Sequence, residues 1–169
     1  MPKNKPAFRG KLLNVRVKEQ RLPNGFLARL EVVKHPGAAL IIPFISSGKI
    51  IILRQFRPVL GGYLYELPAG TLDRREKPLH CARREIIEET GFSAGKLLKL
   101  GEIFPVPGYS TEKITIFKAW RLKQTGLAPE ADEVIQIKIL TRPQVNGLFQ
   151  RKKIKDAKTI CALAMAGWL

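Results

Sequence analysis

Cysteine is nearly missing from this chain: Cys81 and Cys161 are its only two, so it carries no disulfide framework. An apolar run of ~18 residues is absent, and the opening MPKNKP has no apolar stretch behind it. Neither a membrane-spanning helix nor a secretory leader is therefore expected, and the expected location is the cytoplasm. Aromatic residues make up only 8% of the chain and no RNA-binding motif appears, which weighs against a nucleic-acid-binding platform. The two histidines, His35 and His80, lie apart, with no metal-ligand partner at useful spacing. Acidic residues are scarce too, 14 against 30 Lys and Arg.

What is there fits one globular domain. The 169 residues are 45% hydrophobic and 26% charged, and a chain of this length buries roughly 68–70% of its unfolded surface. The charge is unevenly spread. Residues 1–59 hold 12 basic side chains against Glu19 and Glu31, and residues 134–169 hold 7 against Asp156. Residues 60–133 contain 11 of the 14 acidic side chains, matched there by 11 basic ones. An acidic centre in a basic chain points to a multivalent cation, and the basic ends point to an anionic ligand.

Most of the chain reads as strands. LLNVRVKEQRLPNGFLARLEVV alternates around Pro23-Asn24-Gly25 as an antiparallel hairpin. AALIIPFI and KIIILRQFR form a second hairpin with strands apolar on both faces, followed by a short strand in LYELPAG. ITIFKAWRL and EVIQIKIL are later strands, and DAKTICALAMAGWL is a closing helix. One helix stands in the middle, with Pro78 in its first turn and Gly91 just beyond its end. The expected class is α+β, a mixed sheet with few helices.

On that middle helix Leu79, Ala82, Ile86 and Thr90 form one stripe, and Glu85, Glu88 and Glu89 lie beside it within an arc of roughly 100°. Like charges at such spacing repel by roughly 0.2–0.5 kcal/mol per pair. Three carboxylates on one edge are either a solvated acidic face or a site for a hard cation such as Mg²⁺, Mn²⁺ or Ca²⁺. Cys81 and Cys161, in apolar helical context, read as packing residues rather than nucleophiles. Trp120 and Trp168 read as core or interface.

The flanks of the helix decide between those readings. Gly70, Glu76, Arg84-Glu85-Ile86, Glu88-Glu89 and Gly91-Phe92 occur at intervals that match every required position of the Nudix box. The chain therefore resembles the Nudix hydrolases, which cleave a nucleoside diphosphate linked to a further group. The resemblance implies the Nudix fold, an α/β/α sandwich with a mixed β-sheet, here with an N-terminal antiparallel hairpin. It implies Mg²⁺ as cofactor, with Mn²⁺ able to substitute. Glu85 and Glu89 become the principal metal ligands, and Glu88 a third ligand or a ligand through water, counted among the catalytic residues as well. The Ala69 carbonyl is a further ligand, while Gly70, Glu76, Arg84 and Gly91 are supporting residues. One position departs from the pattern: the residue before Glu76 is commonly Gly in the family and is Arg75 here.

RQFRPVLGGYLYELPAG, and Pro107 fifteen residues after Phe92 in PVPGYSTE, are similar to the ADP-ribose pyrophosphatase branch over about residues 37–165. That branch implies Mg²⁺-dependent hydrolysis of ADP-ribose, or a related ADP-sugar, to AMP and ribose 5-phosphate. It makes Arg57 the ligand of the substrate diphosphate, with Arg54 a weaker candidate. Glu66 takes a supporting or substrate-binding role, and Pro107 lies at the substrate. The base that activates water is expected at Glu133, in Asp132-Glu133-Val134, with Glu112 as runner-up. Members of the branch are homodimers. Residues 1–36 would be a hairpin region that completes the partner's site, with Phe8 and Phe26 able to stack on adenine, and residues 37–169 the hydrolase domain. Other nucleoside diphosphate sugars, dinucleoside polyphosphates and 5′-phosphorylated RNA stay open as substrates. A non-catalytic nucleic-acid-binding module, possible from charge but not favoured, is the alternative of another class.

Overall fold

The structure is a computed structural model that describes residues 4–10, 13–126 and 133–169; Asp132 lies outside the described residues. Strands β1 (Asn4–Arg9), β2 (Asn14–Arg21) and β3 (Leu27–Val33) form an antiparallel sheet in that order. The expected turn joins β2 to β3: Gly25 has φ 85 and its N–H bonds the Leu22 carbonyl at 2.9 Å, a conformation glycine takes without steric cost. The hairpin is thus two strands of a three-stranded sheet. Strand β1, with Lys5, Pro6 and Arg9 among its six residues, has the composition of an edge strand and lacks a clean apolar alternation.

The second sheet contains β4 (Ala38–Ser46), β5 (Lys49–Arg57), β6 (Gly62–Glu66), β7 (Ala69–Thr71), β8 (Phe92–Ile103), β9 (Ile114–Gln124) and β10 (Ile135–Thr141). Its path is β10-β5-β4-β9-β8, with β6 added to β5 and β7 to β4. Strands β4 and β5 pair through Phe44 with Ile50 and Ser46 with Lys49 at their hairpin end. Beyond it β5 is taken by β6 and β10, while β4 is taken by β7 and by the parallel β9.

Both faces of this sheet are covered, which is why β4 reads as an unbroken apolar run. Ala39 and Ile41 of β4 pack with Cys81, Ala82 and Ile86 of α1 (Pro78–Thr90). Leu40, Ile42 and Phe44 face the other way, onto Val145 of α2 (Arg142–Gln150) and Ala162 and Leu163 of α3 (Ala157–Met165). The result is the expected α/β/α sandwich.

Strands β1 and β7 lie outside the sequence expectations, and so do β8 and α2. Strand β8 places Ala94, Leu97, Leu100 and Ile103 against the two cores, a spacing of three that matches neither strand nor helix period. A register shift between Lys99 and Gly101 changes the phase of the strand, as a bulge does. Helix α2 contains Pro143, Asn146 and Gly147, which read as loop. Thr141 and Gln144 form a reciprocal capping box that starts it nonetheless.

Candidate active site

Helix α1 begins with Pro78 in its first turn and ends at Gly91, whose φ of 73 and N–H bond to the Ile87 carbonyl close it. Its buried face carries Cys81, Ala82, Ile86 and Thr90 together with Glu85 and Glu89. Glu85 is 8% and Glu89 3% exposed, so the two expected principal ligands lie within the packed side of the helix rather than on a solvated edge. Strand β7 runs directly against them. The Glu89 carboxylate accepts the Ala69 N–H at 2.8 Å. A Cβ on Gly70 would stand 1.6 Å from the Glu85 Oε1, so glycine at this position is what lets the carboxylate lie on the strand.

Arg84 spans the remaining acids. Its guanidinium donates to Glu76 at 3.1 Å, Glu85 at 2.6 Å and Glu88 at 2.9 Å, and to the Thr71 carbonyl at 3.3 Å. The bond to Glu76 heads the causes that raise the Arg84 pKa and lower that of Glu76. Before the helix, the Asp73 N–H donates to the Glu76 carboxylate and the Glu76 N–H to the Asp73 carbonyl, both at 3.0 Å. This tight loop holds Arg75 at φ 67. The residue that replaces the family's glycine thus adopts the left-handed conformation for which glycine suits the position.

Burial dominates the electrostatics of the two inner carboxylates. It pushes Glu85 up to about 7, against the opposing pull of Arg84, and Glu89 up to about 8, against the Ala69 N–H. Glu133 raises both further. Glu133 also lines a cleft of about 280 Å³ with Ala69, Gly70, Asp73, Arg84, Glu85 and Glu88, so the loop residue singled out from sequence stands across from the helix. Next to this group, Arg57 grips Glu66 through two bonds, Nε to Oε1 at 2.8 Å and Nη2 to Oε2 at 2.7 Å, and feels the charge of Glu89.

A NUDIX domain model matches residues 34–163. The chain belongs to the Nudix family. The ADP-ribose pyrophosphatase of Bacillus subtilis (strain 168) is 35% identical over 158 residues, covering 92% of this chain and 85% of that protein. The methanol dehydrogenase activator of Bacillus methanolicus is 32% identical over 163 residues, 95% of this chain and 88% of that one. Among solved structures, one described as an ADP compounds hydrolase superposes with a TM-score of 0.84 over 98% of this chain and 91% of its own, at 23% identity, and so shares the fold.

The Nudix box supplies an all-oxygen donor set, which suits a hard divalent cation. Glu85 and Glu89 are buried carboxylates whose charge the protein leaves incompletely balanced, so their donor chemistry fits such an ion. Among the described residues no three acidic, His or Cys side chains converge as a ready-made cage. Glu85 and Glu88 turn to Arg84 and Glu89 to Ala69 instead, and a cation would compete with those partners.

Other sequence candidates are engaged elsewhere. Arg54 donates to Gln136 at 3.1 Å and stacks 3.9 Å from the Tyr63 ring centre. Glu112 faces His35 at 3.9 Å and is not among the residues lining the cleft. Pro107 is exposed, in the loop between β8 and β9. Hydrogen bonds of Tyr109 and Thr111 tie that loop to Val33 at the end of β3. Cys81 is a packing residue, its thiol pushed by burial to about 12, but Cys161 is exposed, a correction to its packing role: it sits on the outer side of a helix whose apolar sequence suggested burial all round.

Two residues near the site were not anticipated. Lys158 contacts the Glu66 Oε2 at 2.5 Å, and the buried Thr159 hydroxyl accepts the Leu67 N–H at 2.8 Å. Both come from the first turn of α3, 92 residues along the chain from their partners. The only local signal there was the N-cap Asp156, which accepts the Thr159 N–H.

Proposed function

We propose that this Nudix protein hydrolyses the diphosphate of ADP-ribose, or of a related ADP-sugar, to AMP and ribose 5-phosphate with Mg²⁺ as cofactor and Mn²⁺ as substitute. The observation that carries this reading is the pair of buried, under-balanced carboxylates Glu85 and Glu89 beside the guanidinium of Arg57. One group is suited to hold a cation and the other a diphosphate oxygen, as one pyrophosphate requires. The relative at 35% identity bears the name of this activity.

Glu85 and Glu89, with Glu88 and the Ala69 carbonyl, would hold the ion, which when bound neutralises phosphate charge and lowers the pKa of water. Arg57 orients the diphosphate through the part of its fork that Glu66 leaves open. Glu133 accepts the proton of the attacking water, and Glu112, paired with His35, is the second choice. Arg84 holds Glu76, Glu85 and Glu88 in register. A cytoplasmic homodimer belongs to the same reading: Phe8, Leu13, Phe26 and Leu27 are exposed on or beside the N-terminal sheet, a surface that a second copy would cover. No helix of the described residues is long and apolar enough to cross a membrane.

The test is turnover on ADP-ribose, other ADP- and GDP-sugars, dinucleoside polyphosphates and 5′-triphosphate RNA, with Mg²⁺ and with chelator. AMP release from ADP-ribose, lost in chelator and reduced by orders of magnitude in Glu133→Gln, supports the reading. Preference for another substrate would keep the chemistry and replace the sugar. No turnover on any of them would overturn it in favour of a binding role.

A further inference from the structure

Glu66 is 1% exposed and holds two cations at once, Arg57 bidentately and Lys158 on Oε2. Burial pushes its pKa up, but the hydrogen bonds of Arg57 and the charge and hydrogen bond of Lys158 outweigh that and hold it below the usual carboxylate value. Lys158 in turn donates to the Asp156 Oδ1 at 2.8 Å, and the Asp156 Oδ2 accepts the Thr159 N–H at 2.9 Å as the cap of α3. Thr159 then accepts the Leu67 N–H, so the first turn of α3 grips both Glu66 and the residue after it. The side chains of Lys158 and Asp156 are 21% and 13% exposed, whereas that of Arg57 is 39% exposed. The network therefore opens to solvent chiefly at Arg57.

The charges explain why a second cation is present. Without Lys158, the remaining Glu66, Asp156 and Arg57 would sum to one negative charge next to a place meant for an anion; with it they sum to zero. A carboxylate bound to one guanidinium alone also spends its whole charge on that guanidinium and weakens its attraction for phosphate. The pair uses Nε and Nη2 of Arg57, so Nη1 stays outside it.

We propose that Lys158, acting through Glu66, is a positioning residue for substrate binding: it shares the Glu66 charge and fixes that carboxylate so that Arg57 presents an available guanidinium edge to the diphosphate. This rests on the reading of Arg57 as the diphosphate ligand.

The test is the affinity for ADP-ribose by calorimetry in chelator, where the ligand is not turned over, together with KM and kcat in Mg²⁺ and the Tm. Lys158→Met weakens Kd by about 10-fold, the scale of one charge-assisted hydrogen bond. It raises KM similarly and leaves kcat within about 3-fold, while Lys158→Arg stays near the parent. In an Arg57→Ala background Lys158→Met adds no further loss of affinity. Lys158→Gln, which keeps a donor without the charge, shows most of the Lys158→Met effect and serves if that variant does not fold. A lowered Tm with unchanged Kd in Lys158→Met and Lys158→Gln would mean a merely structural role and overturn the proposal. If Arg57→Ala weakens binding and neither Lys158 variant does, positioning fails while the substrate reading stands. If Arg57→Ala itself leaves Kd and KM unchanged, both fail.

Discussion

Two buried carboxylate groups flank the reach of Arg57 and carry their charge in opposite ways. Glu66 is nearly inaccessible, yet Arg57 and Lys158 overcompensate it and its pKa is lowered. Glu85, bonded to Arg84, and Glu89, bonded to the Ala69 N–H, are almost as deeply placed and are raised to about 7 and about 8. A buried charge that is fully paired can hold its partners in place, whereas one left short of partners is suited to a cation. Burial alone does not separate a glutamate that holds cationic side chains from one suited to a metal ion. The balance of partners does.

The comparison breaks most sharply at the under-balanced group. Glu89→Gln should lower kcat/KM by more than ~100-fold, above the 10–100-fold typical of partners one shell away from a metal. In chelator at pH 8 the same variant should raise the Tm, because it removes a carboxylate that burial disfavours in its charged form. Steady-state kinetics and thermal unfolding read the two opposite effects. Gly70→Ala attacks the same place through shape: its Cβ would fall 1.6 Å from the Glu85 Oε1. It should displace the carboxylate and reduce turnover by about 10–100-fold, with a smaller loss of stability.

Glu66→Gln should act with the other sign. It leaves Arg57 without its anion and Lys158 with Asp156 alone, and should destabilise by about 1–3 kcal/mol, less than the 3–5 of a fully buried pair because both cations are partly exposed. Denaturant unfolding measures it. The pH dependence sharpens the contrast. Glu85 and Glu89 bind protons more tightly in the fold than at their ordinary 4.5. Their contribution is therefore fully present below about pH 4.5 and is lost as pH rises through 7 and 8. Glu66, lowered by folding, contributes above its ordinary value and loses that contribution as pH falls through its folded one. Metal-free protein should thus show a falling Tm from pH 5.5 to 8, and added Mg²⁺ should raise the Tm more at pH 8 than at 5.5. Equal Mg²⁺ shifts at both pH values would contradict it. The smallest effect belongs to the loop before the helix: Arg75→Gly should relieve a left-handed non-glycine residue and change stability by less than about 1 kcal/mol, with kcat unchanged.

The helix of the box was fully legible: Pro78 and Gly91 mark its ends, and the glutamates fall on its inner edge as the spacing requires. So were the turn at Gly25, the doubly buried β4 and β5, and the closing helix, because each depends on local backbone preference or on a period within one element. Strand β8 was not legible, since its register shift hides the alternation, and α2 was masked by Gly147 and Asn146 despite its capping box. At the site, Glu133 was placed by its motif, and it lines the cleft.

The sequence by itself determined that carboxylates, a supporting arginine and a strand-to-helix loop of this spacing would meet, because all of them lie within residues 70–92 and a helix turns spacing into direction. The depth at which Glu85 and Glu89 are buried, and hence their raised pKa values, was decided only when β7 closed over α1 with no side chain at Gly70. The partner that balances Glu66 was likewise decided by tertiary structure: Lys158 stands 92 residues away, and only the packing of α3 against the sheet brings the two charges together.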